Sequence, residues 1–334
     1  MKKIDIIIPA YKAQDTIIKT LGSIIMQTIK DDIKVTICND ADDTGYKDIV
    51  DYFSKYLDIK EIILPKNGGP GVARQYGIDN TSLPYITFID ADDTFQGPYA
   101  LELLFEPFTY PQYATNSMVA AKFEEATYAP NLMFIDRKKR FIWMFAKLYK
   151  RSFLDKYGIR FNETRANEDN GFNTFAQLCI TEEKEKPIFI EHNVYCWNYR
   201  KDSITRINEN EYTCKDNIVG YLDNMTYAIQ EAKKRKGLTK QIIYRIAEVM
   251  GVSYIGFIMT SLQNPVYLDQ NFKRAAKFYK EVFSDLEIDV EERELYSILT
   301  NVMDEYSTHL KGILPTLTFL QFLDAVRGES QEIT

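Results

Sequence analysis

Residues 85–93 read Tyr85-Ile86-Thr87-Phe88-Ile89-Asp90-Ala91-Asp92-Asp93, a mostly apolar run that leads directly into four acidic or small positions. A run of this length predicts a strand buried on both faces, as in a parallel sheet. Asp90 and Asp92 are two residues apart, so in extended backbone their carboxylates point the same way and could share a hard cation that carries a diphosphate. Taken alone, the tetrapeptide is explained equally well as a solvated turn after a strand.

Strand and helix patterns alternate through the chain before this run. We expect strands at residues 4–8, 33–38 and 62–64, and helices at about 15–25, 46–56 and 72–79, with Asp15 or Thr16 capping the first helix. Between the third strand and the third helix lies the turn Asn67-Gly68-Gly69-Pro70-Gly71. Regular alternation of this kind predicts an α/β fold with a mainly parallel, doubly wound sheet flanked by helices.

The pattern changes twice after this region. Residues 96–204 are more mixed, with helices expected near 100–108 and 168–179 and strands near 118–123, 132–136 and 188–190. From about residue 212 the chain is helical, with amphipathic stretches at 218–234, 240–262, 272–283 and 291–306. We therefore predict an α/β domain over residues 1–210 and an all-α domain over 211–334 for ligand binding or homo-oligomerisation, with the boundary near 205–215.

Composition and charge exclude several classes of protein. The 334 residues are 45% hydrophobic and 27% charged, which is ordinary globular composition, and the net charge of −7 gives no field that attracts nucleic acid or an anionic membrane. The four cysteines include no C-x-x-C pair, which argues against a structural zinc site and favours reduced thiols in a cytoplasm. The most apolar later stretch, residues 242–262, contains Arg245 and Glu248, so we predict a buried helix and no transmembrane segment.

Four polar or glycine-rich segments follow predicted strands. They are Pro9-Ala10-Tyr11, Asn39-Asp40, the glycine turn and Asp90 to Asp93. Ligands of open parallel sheets bind outside the carboxyl ends of the strands, so the four segments are expected to meet in one crevice. The glycine turn alone is more simply an ordinary turn, because no Gly-Lys-Ser/Thr of a P-loop follows it.

Taken together, these segments resemble the family 2 glycosyltransferases, inverting enzymes of the GT-A fold. The resemblance covers about residues 1–205 and is carried by Ile6-Ile7-Ile8-Pro9-Ala10-Tyr11, Asn39-Asp40, Asn67 to Arg74, Phe88 to Asp93, Lys147 to Leu154, Gly158 to Phe161, Glu168-Asp169 and Tyr199 to Thr205. It implies transfer of a sugar from a nucleotide diphosphate sugar, most often a UDP-sugar, to an acceptor hydroxyl. The acceptor can be a glycan, a lipid-linked sugar, a protein or modified DNA.

The resemblance also implies roles for individual residues. Contacts to the nucleotide and donor sugar are implied for Pro9, Ala10, Tyr11, Asp40, Gly71, Arg74, Asp90, Asp93 and Arg200. A divalent metal, Mn²⁺ or Mg²⁺, would be held by Asp92 together with Asp90. Arg200 is explained equally well as a loop arginine in a surface ion pair.

Asp169 is the candidate general base. An inverting transfer needs one group to take the proton of the acceptor hydroxyl, and a carboxylate suffices. The alternative is that Glu168 and Asp169 only cap a helix and complement its dipole. Asn39 and Gln75 depart from the residues common in the family, which leaves the base of the donor open.

Two other functions compete with the transferase. A nucleotidyltransferase shares the sheet and the carboxylate-bound metal, but it does not predict the matches at Glu168-Asp169 and Tyr199-Arg200. A catalytically inert module that binds nucleotide sugars or glycans would not need Asp92 and Asp169 together.

Overall fold

The computed structural model describes residues 2–128, 132–137, 143–164, 166–185, 187–198, 218–235, 239–283, 297, 300 and 317–333. The chain divides into two compact units, Met1–Arg200 and Lys201–Thr334. The boundary predicted near residues 205–215 lies outside the described residues.

The first unit is an α/β fold. Its strands are β1 (Ile4–Ala10), β2 (Ile33–Asn39), β3 (Ile59–Ile63), β4 (Tyr85–Phe88), β5 (Thr94–Phe95), β6 (Met118–Tyr128), β7 (Leu132–Arg137), β8 (Lys147–Lys150) and β9 (Ile188–Trp197). Its α-helices are α1 (Gln14–Ile25), α2 (Lys47–Phe53), α3 (Pro70–Asp79), α4 (Ala100–Phe105), α5 (Arg151–Tyr157) and α6 (Glu168–Glu182). The predicted α/β fold class is confirmed. The cap of α1 is not: Ala13 precedes the helix without a side-chain cap, and Asp15 and Thr16 lie inside its first turn.

All nine strands belong to one sheet in the order β3-β2-β1-β4-β8-β6-β9-β5, with β7 paired to β6. The strands from β3 to β4 are parallel, as the alternation of strands and helices predicts. Beyond β4 the sheet is mixed, because β8 runs antiparallel to β4 and β6, and β5 runs antiparallel to β9. The sequence did not predict β8, whose lysines make it look like an exposed segment.

Strand β1 lies in the middle of the parallel half, and all seven of its residues are buried. Each fully buried Ile side chain contributes about 1.5–3 kcal/mol relative to an exposed one. Helix α3 packs close to this strand, because a Cβ on Gly77 would lie 2.5 Å from Cγ2 of Ile7 and 2.8 Å from Sγ of Cys38. The close approach fixes the first turn of α3 near the carboxyl ends of the strands.

The strand register brings the candidate residues to one edge of the sheet. Ala10 pairs with Asn39, and Ile7 pairs with Phe88 on the other side of β1. Tyr11, Asp40 and Asp90 follow these pairs directly. The sheet topology therefore brings the segments after β1, β2 and β4 to the same edge, as predicted.

The second unit is helical over its described residues. It contains α7 (Ile218–Lys233), α8 (Thr239–Gln263), α9 (Leu268–Phe283) and α10 (Phe319–Glu332). Phe322 is fully buried, with its ring centroid 5.4 Å from that of Tyr254 and 5.2 Å from that of Phe257. The first three helices match the predicted stretches, α10 was not predicted, and the helix expected at 291–306 lies almost wholly outside the described residues.

Within α8, residues 240–263 are long and apolar enough to cross a membrane by length and composition. In this segment 61% of the most apolar window is buried inside the protein, as in the core helix of a soluble protein. Arg245 and Glu248 pair with each other at 2.5 Å. By itself a helix of this kind is weak evidence for a membrane span.

Candidate active site

At the end of β1, only one of the three residues expected around a nucleobase presents much surface. Tyr11 is 46% exposed, whereas Pro9 and Ala10 are buried within β1. The carbonyl of Ala10 accepts a hydrogen bond from the backbone N–H of Asp40 at 2.9 Å. Ala10 thus contributes a backbone carbonyl to the sheet edge, Pro9 is buried beside it, and Tyr11 exposes an aromatic ring there.

The carboxylate of Asp40 holds the glycine turn. Its Oδ1 accepts from the N–H of Gly68 and its Oδ2 from the N–H of Gly69, both at 2.8 Å. Gly69 has a φ of +86°, which favours glycine, and Asp40 is buried. Since both oxygens are already engaged with the turn, the implied contact between Asp40 and the base stays a prediction.

Asn39 occupies a position where the family often has an aspartate, and its side chain makes two hydrogen bonds as a donor. Its side-chain amide donates to Oε1 of Glu61 at 2.8 Å and to the carbonyl of Asp42 at 3.1 Å. An aspartate at position 39 would put a second carboxylate against Glu61. The sequence analysis missed Asp42, whose carboxylate accepts from the N–H of Lys12 and the amide of Gln14, and so ties the end of β1 to that of β2.

Arg74 joins two acidic motifs. Its Nη2 lies 2.5 Å from Oδ1 of Asp90 and its Nη1 lies 2.7 Å from Oε1 of Glu168. The side chains of Arg74 and Glu168 are only 5% and 8% exposed, whereas that of Asp90 is 28% exposed. In the structure Arg74 is thus a buried partner of two carboxylates, and the contact with the nucleotide that the resemblance implies stays a prediction.

Gly71 packs against a side chain. A Cβ at this position would lie 2.6 Å from Cγ and 2.9 Å from Cβ of Glu168, so any larger residue would displace the start of α6. The resemblance implies that Gly71 lets the nucleotide approach closely, and that contact stays a prediction. In the structure, the lack of a side chain at Gly71 permits the contact between α3 and α6.

Asp93 is the buried anchor of the acidic turn. It has no exposed surface, and its Oδ2 accepts from the hydroxyl of Tyr195 at 2.6 Å while its Oδ1 accepts from the N–H of Asn198 at 2.8 Å. Burial, and then the charges of Asp90 and Asp92, raise its pKa well above the ordinary aspartate value. Both oxygens of Asp93 are engaged by Tyr195 and Asn198, and its implied contact with sugar hydroxyls stays a prediction.

Tyr195 and Asn198, which no sequence motif predicted, also bind the backbone of the acidic turn. The hydroxyl of Tyr195 also accepts from the N–H of Asp90 at 3.2 Å, and the amide of Asn198 donates to the carbonyl of Asp92 at 3.0 Å. Strand β9 therefore holds the backbone of the turn at two points. No sequence signal marks these residues except that they precede Tyr199-Arg200, and those two lie outside the described residues.

Asp90 and Asp92 are both partly exposed at this turn. Among the described residues, no group of three or more His, Cys, Asp or Glu side chains is arranged to hold a metal ion. A set of one or two carboxylates completed by substrate phosphates and water is a common way to bind Mg²⁺. The pair therefore fits a cation that arrives with a diphosphate, and its binding stays a prediction.

Asp169 lies in the first turn of α6, partly buried beside Glu168. Burial raises its pKa to about 7, and the charge of Glu168 adds to this while that of Arg74 opposes it. The alternative, in which the acids only support the helix start, stays open. Glu168 and Asp169 both lie in the first turn of α6, and Oδ1 of Asp169 accepts from the N–H of Asn170 at 2.8 Å, although Asn167 makes no side-chain cap. A carboxyl that titrates near neutrality can take up a proton in a reaction at physiological pH.

Lys147 lies near this acid and is buried. Its ammonium donates to the carbonyls of Trp143 and Phe145, and burial lowers its pKa to about 7 while the charge of Asp169 opposes the shift. Asn173 lies one turn after Asp169 in α6. Its side-chain amide donates to the backbone carbonyl of Asp169 at 3.0 Å, and its Oδ1 accepts from the hydroxyl of Tyr149 at 2.5 Å. The candidate base thus lies next in the chain to Glu168, which Arg74 joins to Asp90 of the donor turn.

The geometry agrees with comparisons to known proteins. The family model for glycosyl transferase family 2 matches residues 5–166. The chain is 28% identical over 228 residues to glycosyltransferase GlyA of Streptococcus pneumoniae, a match that covers 61% of this chain and 32% of that protein. It is also 28% identical over 252 residues to the poly(ribitol-phosphate) beta-glucosyltransferase of Bacillus spizizenii, covering 70% of this chain and 38% of the relative.

A solved structure shares the fold at low identity. The chain superposes on residues 1–349 of S. aureus TarS in complex with UDP-GlcNAc with a TM-score of 0.69 and 16% identity, covering 92% of each chain. At this identity the likeness concerns the fold. The chain spans about a third of the length of the two curated relatives described above.

Proposed function

We propose that this chain, whose residues 5–166 match the family model for glycosyl transferase family 2, transfers a sugar from a nucleotide diphosphate sugar, a UDP-sugar first among them, to an acceptor hydroxyl with inversion. The observation that supports this most is Asp169, a partly buried carboxyl whose pKa is raised to about 7 and whose neighbour Glu168 shares Arg74 with the donor-side Asp90. A nucleotide-binding edge and a base of suitable pKa thus lie in one network.

The donor half of the proposal uses the strand-end edge. Tyr11 offers an exposed ring to the base, and the turn fixed by Asp40 offers backbone close to the same edge. Asp90 and Asp92 would hold Mn²⁺ or Mg²⁺, which when bound would offset the charge of the departing diphosphate. Arg200 is kept as a contact to that diphosphate, and its position lies outside the described residues.

The chemical half uses Asp169. As the acceptor oxygen attacks the anomeric carbon, the carboxylate of Asp169 takes the hydroxyl proton, a bond forms between the acceptor oxygen and that carbon, and the bond from that carbon to the diphosphate oxygen breaks. The electron pair of the broken bond leaves with the nucleotide. Attack from the face opposite the leaving group inverts the anomeric centre.

For the acceptor we propose a hydroxyl on a glycan or polyol-phosphate polymer, with lipid-linked, protein and modified-DNA acceptors as the other classes to test. A poly(ribitol-phosphate) glucosyltransferase among the relatives supports this order. We also propose a cytoplasmic location, which agrees with the lack of a disulfide at the buried cysteines Cys38, Cys179 and Cys196 in the described part of the chain.

The two competing functions are less well supported. A nucleotidyltransferase would not need a carboxyl with a pKa near 7 at Asp169, in the helix α6 that packs against Gly71. An inert binding module gives no reason to keep that carboxyl in an environment that costs stability when it ionises.

Thermal shift and hydrolysis assays with UDP-, GDP- and TDP-sugars, each with Mn²⁺, Mg²⁺ or EDTA, test the proposal. We expect one donor to raise the melting temperature and to be hydrolysed slowly to nucleoside diphosphate and sugar. Release of pyrophosphate from a nucleoside triphosphate and a sugar phosphate would instead support the nucleotidyltransferase, and binding without turnover in the presence of hydroxyl acceptors would support the inert module.

A further inference from the structure

The segment that leads into β8 presents two aromatic rings beside a third at the end of β9. We infer that Trp143, Phe145 and Trp197 form an aromatic platform that binds a sugar ring of the acceptor by stacking, and so selects a glycan over an open-chain polyol. The inference rests on the proposed function and names the substrate class of its acceptor.

The first observation is the arrangement of the three rings. The ring centroid of Trp197 lies 5.7 Å from that of Trp143 and 5.5 Å from that of Phe145, with the ring planes at 65° and 38°. All three side chains are partly exposed, although each also packs against the buried core of the first unit. Rings that are exposed but held by their neighbours offer a rigid apolar surface at small entropic cost.

The second observation is the backbone that carries two of these rings. Ala146 has a φ of +53°, in the left-handed region that favours glycine. The buried ammonium of Lys147 donates to the carbonyls of Trp143 and Phe145. An unfavourable backbone conformation persists only where its surroundings fix it, and such residues cluster at functional sites. Residues 143–147 are therefore held in one conformation, which fixes the positions of both rings.

The platform adjoins the donor side of the site. The ring of Phe145 stacks on that of Tyr195, with centroids 5.0 Å apart and planes at 21°, and the hydroxyl of Tyr195 donates to Asp93 at 2.6 Å. Trp197 is followed directly by Asn198, whose N–H donates to the same carboxylate at 2.8 Å. The platform thus begins where β9 holds the acidic turn.

The same segment is also tied to the helix of the candidate base. Met144 lies between the two rings in the chain, and its sulfur accepts from the side-chain amide of Asn173 at 3.3 Å. That amide also donates to the backbone carbonyl of Asp169 at 3.0 Å, and the charge of Asp169 acts on the ammonium of Lys147. An acceptor on the platform would therefore lie between the acidic turn and the base, where the proposed reaction needs a hydroxyl.

Stacking on aromatic rings recognises the shape of a sugar. A pyranose chair has a flat face of weakly polar C–H groups, and these pack against the electron-rich face of an aromatic ring. An open-chain polyol phosphate has no such face and rotates about each of its carbon–carbon bonds, so it would lose more conformational entropy on binding. The platform therefore favours an acceptor that carries a sugar ring at the end to be extended.

Tryptophan fluorescence tests the inference directly. The chain has two tryptophans, Trp143 and Trp197, and both belong to the platform. The probes are cellobiose, maltose, lactose and chitobiose, with ribitol phosphate and glycerol phosphate as open-chain counterparts, each added together with UDP and Mn²⁺. We expect at least one disaccharide to shift the emission to shorter wavelength in a saturable manner, because a stacked ring excludes water from the indoles, and the polyol phosphates to cause no shift.

Substitutions within the platform test its part in transfer. Trp143→Leu and Trp197→Leu each remove one ring, whereas Trp143→Phe and Trp197→Phe keep an aromatic face. With the nucleotide sugar that the protein hydrolyses as donor, we expect each leucine variant to raise the KM of the responding disaccharide by about 5–10-fold. The ratio of transfer to donor hydrolysis should fall with it. Each phenylalanine variant should raise that KM by less than about threefold.

Tyr85→Leu is the matched control. Tyr85 is also a partly buried aromatic residue of the first unit with two ring neighbours, Phe105 at 5.1 Å and Phe108 at 4.9 Å, but it begins β4, whereas the acidic turn follows the end of that strand. It should lose stability comparably to Trp197→Leu and leave the KM within about twofold. Where Trp197→Leu is too unstable to assay, Trp197→Phe still reports the emission shift through Trp143.

Four results would overturn the inference while the protein still hydrolyses a nucleotide sugar. They are no emission shift with any disaccharide, polyol phosphates that serve as acceptors as well as the best disaccharide, leucine variants with an unchanged KM, and an emission shift that the nucleotide sugar alone brings to saturation, which would assign the platform to the donor. The proposed function fails separately, when the unaltered protein neither binds nor hydrolyses any nucleotide sugar.

Discussion

The hydroxyl of Tyr195 lies 2.6 Å from Oδ2 of Asp93, a hydrogen bond between residues 102 positions apart in the chain. The same hydroxyl accepts from the N–H of Asp90. One side chain of β9 therefore fixes both ends of the acidic turn that follows β4.

Tyr195→Phe removes both hydrogen bonds with little change of shape. A buried carboxyl group and a backbone N–H lose their partner, so we expect unfolding free energy to fall by about 1–3 kcal/mol and donor hydrolysis to fall with it. Chemical denaturation and hydrolysis rates measure the two effects. Tyr254→Phe, which removes one hydrogen bond to the carbonyl of Leu317 in the second unit, should leave hydrolysis unchanged; equal effects of both variants on hydrolysis would contradict the assignment.

Asp169→Asn preserves the size of the side chain and removes the base. We expect kcat for transfer to fall by about 10²–10⁴-fold with nucleotide affinity kept, since the residue acts on the acceptor proton. Isothermal titration with UDP and steady-state rates measure the two quantities. Asp155→Asn on the exposed face of α5 is the control. Lost nucleotide binding in Asp169→Asn would mean that the base is misplaced.

The pH dependence follows from the raised pKa of Asp169, about 7 instead of the ordinary 3.8. The base acts when deprotonated, so kcat should fall as pH drops below about 7 and level off above it. A carboxyl with a raised folded pKa favours the folded state while protonated, and this stabilisation is lost as pH rises through about 7. The stability difference between Asp169→Asn and the unaltered protein should therefore grow from about pH 4 to about pH 7, and the variant should melt about 2–4 °C higher at pH 8.

Gly71→Ala tests the contact between α3 and α6. The added methyl group would lie 2.6 Å from Cγ of Glu168, so α6 must shift and we expect hydrolysis to fall by about 10-fold or more. Gly22→Ala in α1 is the matched control, because nothing lies within 4 Å of its added Cβ. In a helix interior this control should gain about 0.5–1 kcal/mol of stability. Unchanged rates in Gly71→Ala would show that α6 need not stay in register with α3.

Asp92→Asn weakens the proposed cation site. We expect donor hydrolysis to lose its stimulation by Mn²⁺ or Mg²⁺, because one of two protein carboxylates would be gone. Asp48→Asn, an exposed acid in the first turn of α2, is the control. The direct measurement is Mn²⁺ binding by electron paramagnetic resonance in the presence of UDP; full stoichiometric binding by Asp92→Asn would remove this residue from the site.

Local patterns were enough to predict the parallel half of the fold. The apolar runs of β1, β2 and β4 and the helical spacing in α1 each depend on neighbours in sequence, so periodicity finds them. Strand β8 was missed because Lys147, which looks like a surface residue, is buried and gives its ammonium to the carbonyls of Trp143 and Phe145.

Contiguous motifs were enough to name candidate site residues, whereas contacts between distant parts of the chain were not predicted. Asp90, Asp92 and Asp169 were found by position, and their proposed roles still await test. The surroundings of Arg74, Gly71 and Asp93 were not predicted, because each is defined by Glu168 or Tyr195, far away in the chain. Sequence spacing cannot indicate which carboxylates an arginine will meet when they lie 16 and 94 positions away, as Asp90 and Glu168 do from Arg74.

The link from Arg74 to Glu168 also bears on how the protein is made. During synthesis, the acidic turn leaves the ribosome well before Glu168 and Tyr195 are made. Until then the carboxylate of Asp93 lacks the hydrogen bond from Tyr195, and Arg74 lacks the ion pair with Glu168. A nascent chain that ends at residue 166, where the family match ends, would carry Asp90 to Asp93 but not Glu168, Tyr195 and Asn198, whose contacts hold Arg74 and the acidic turn. Competence to bind a donor should thus appear late in translation, in a single step, once β9 has joined the sheet.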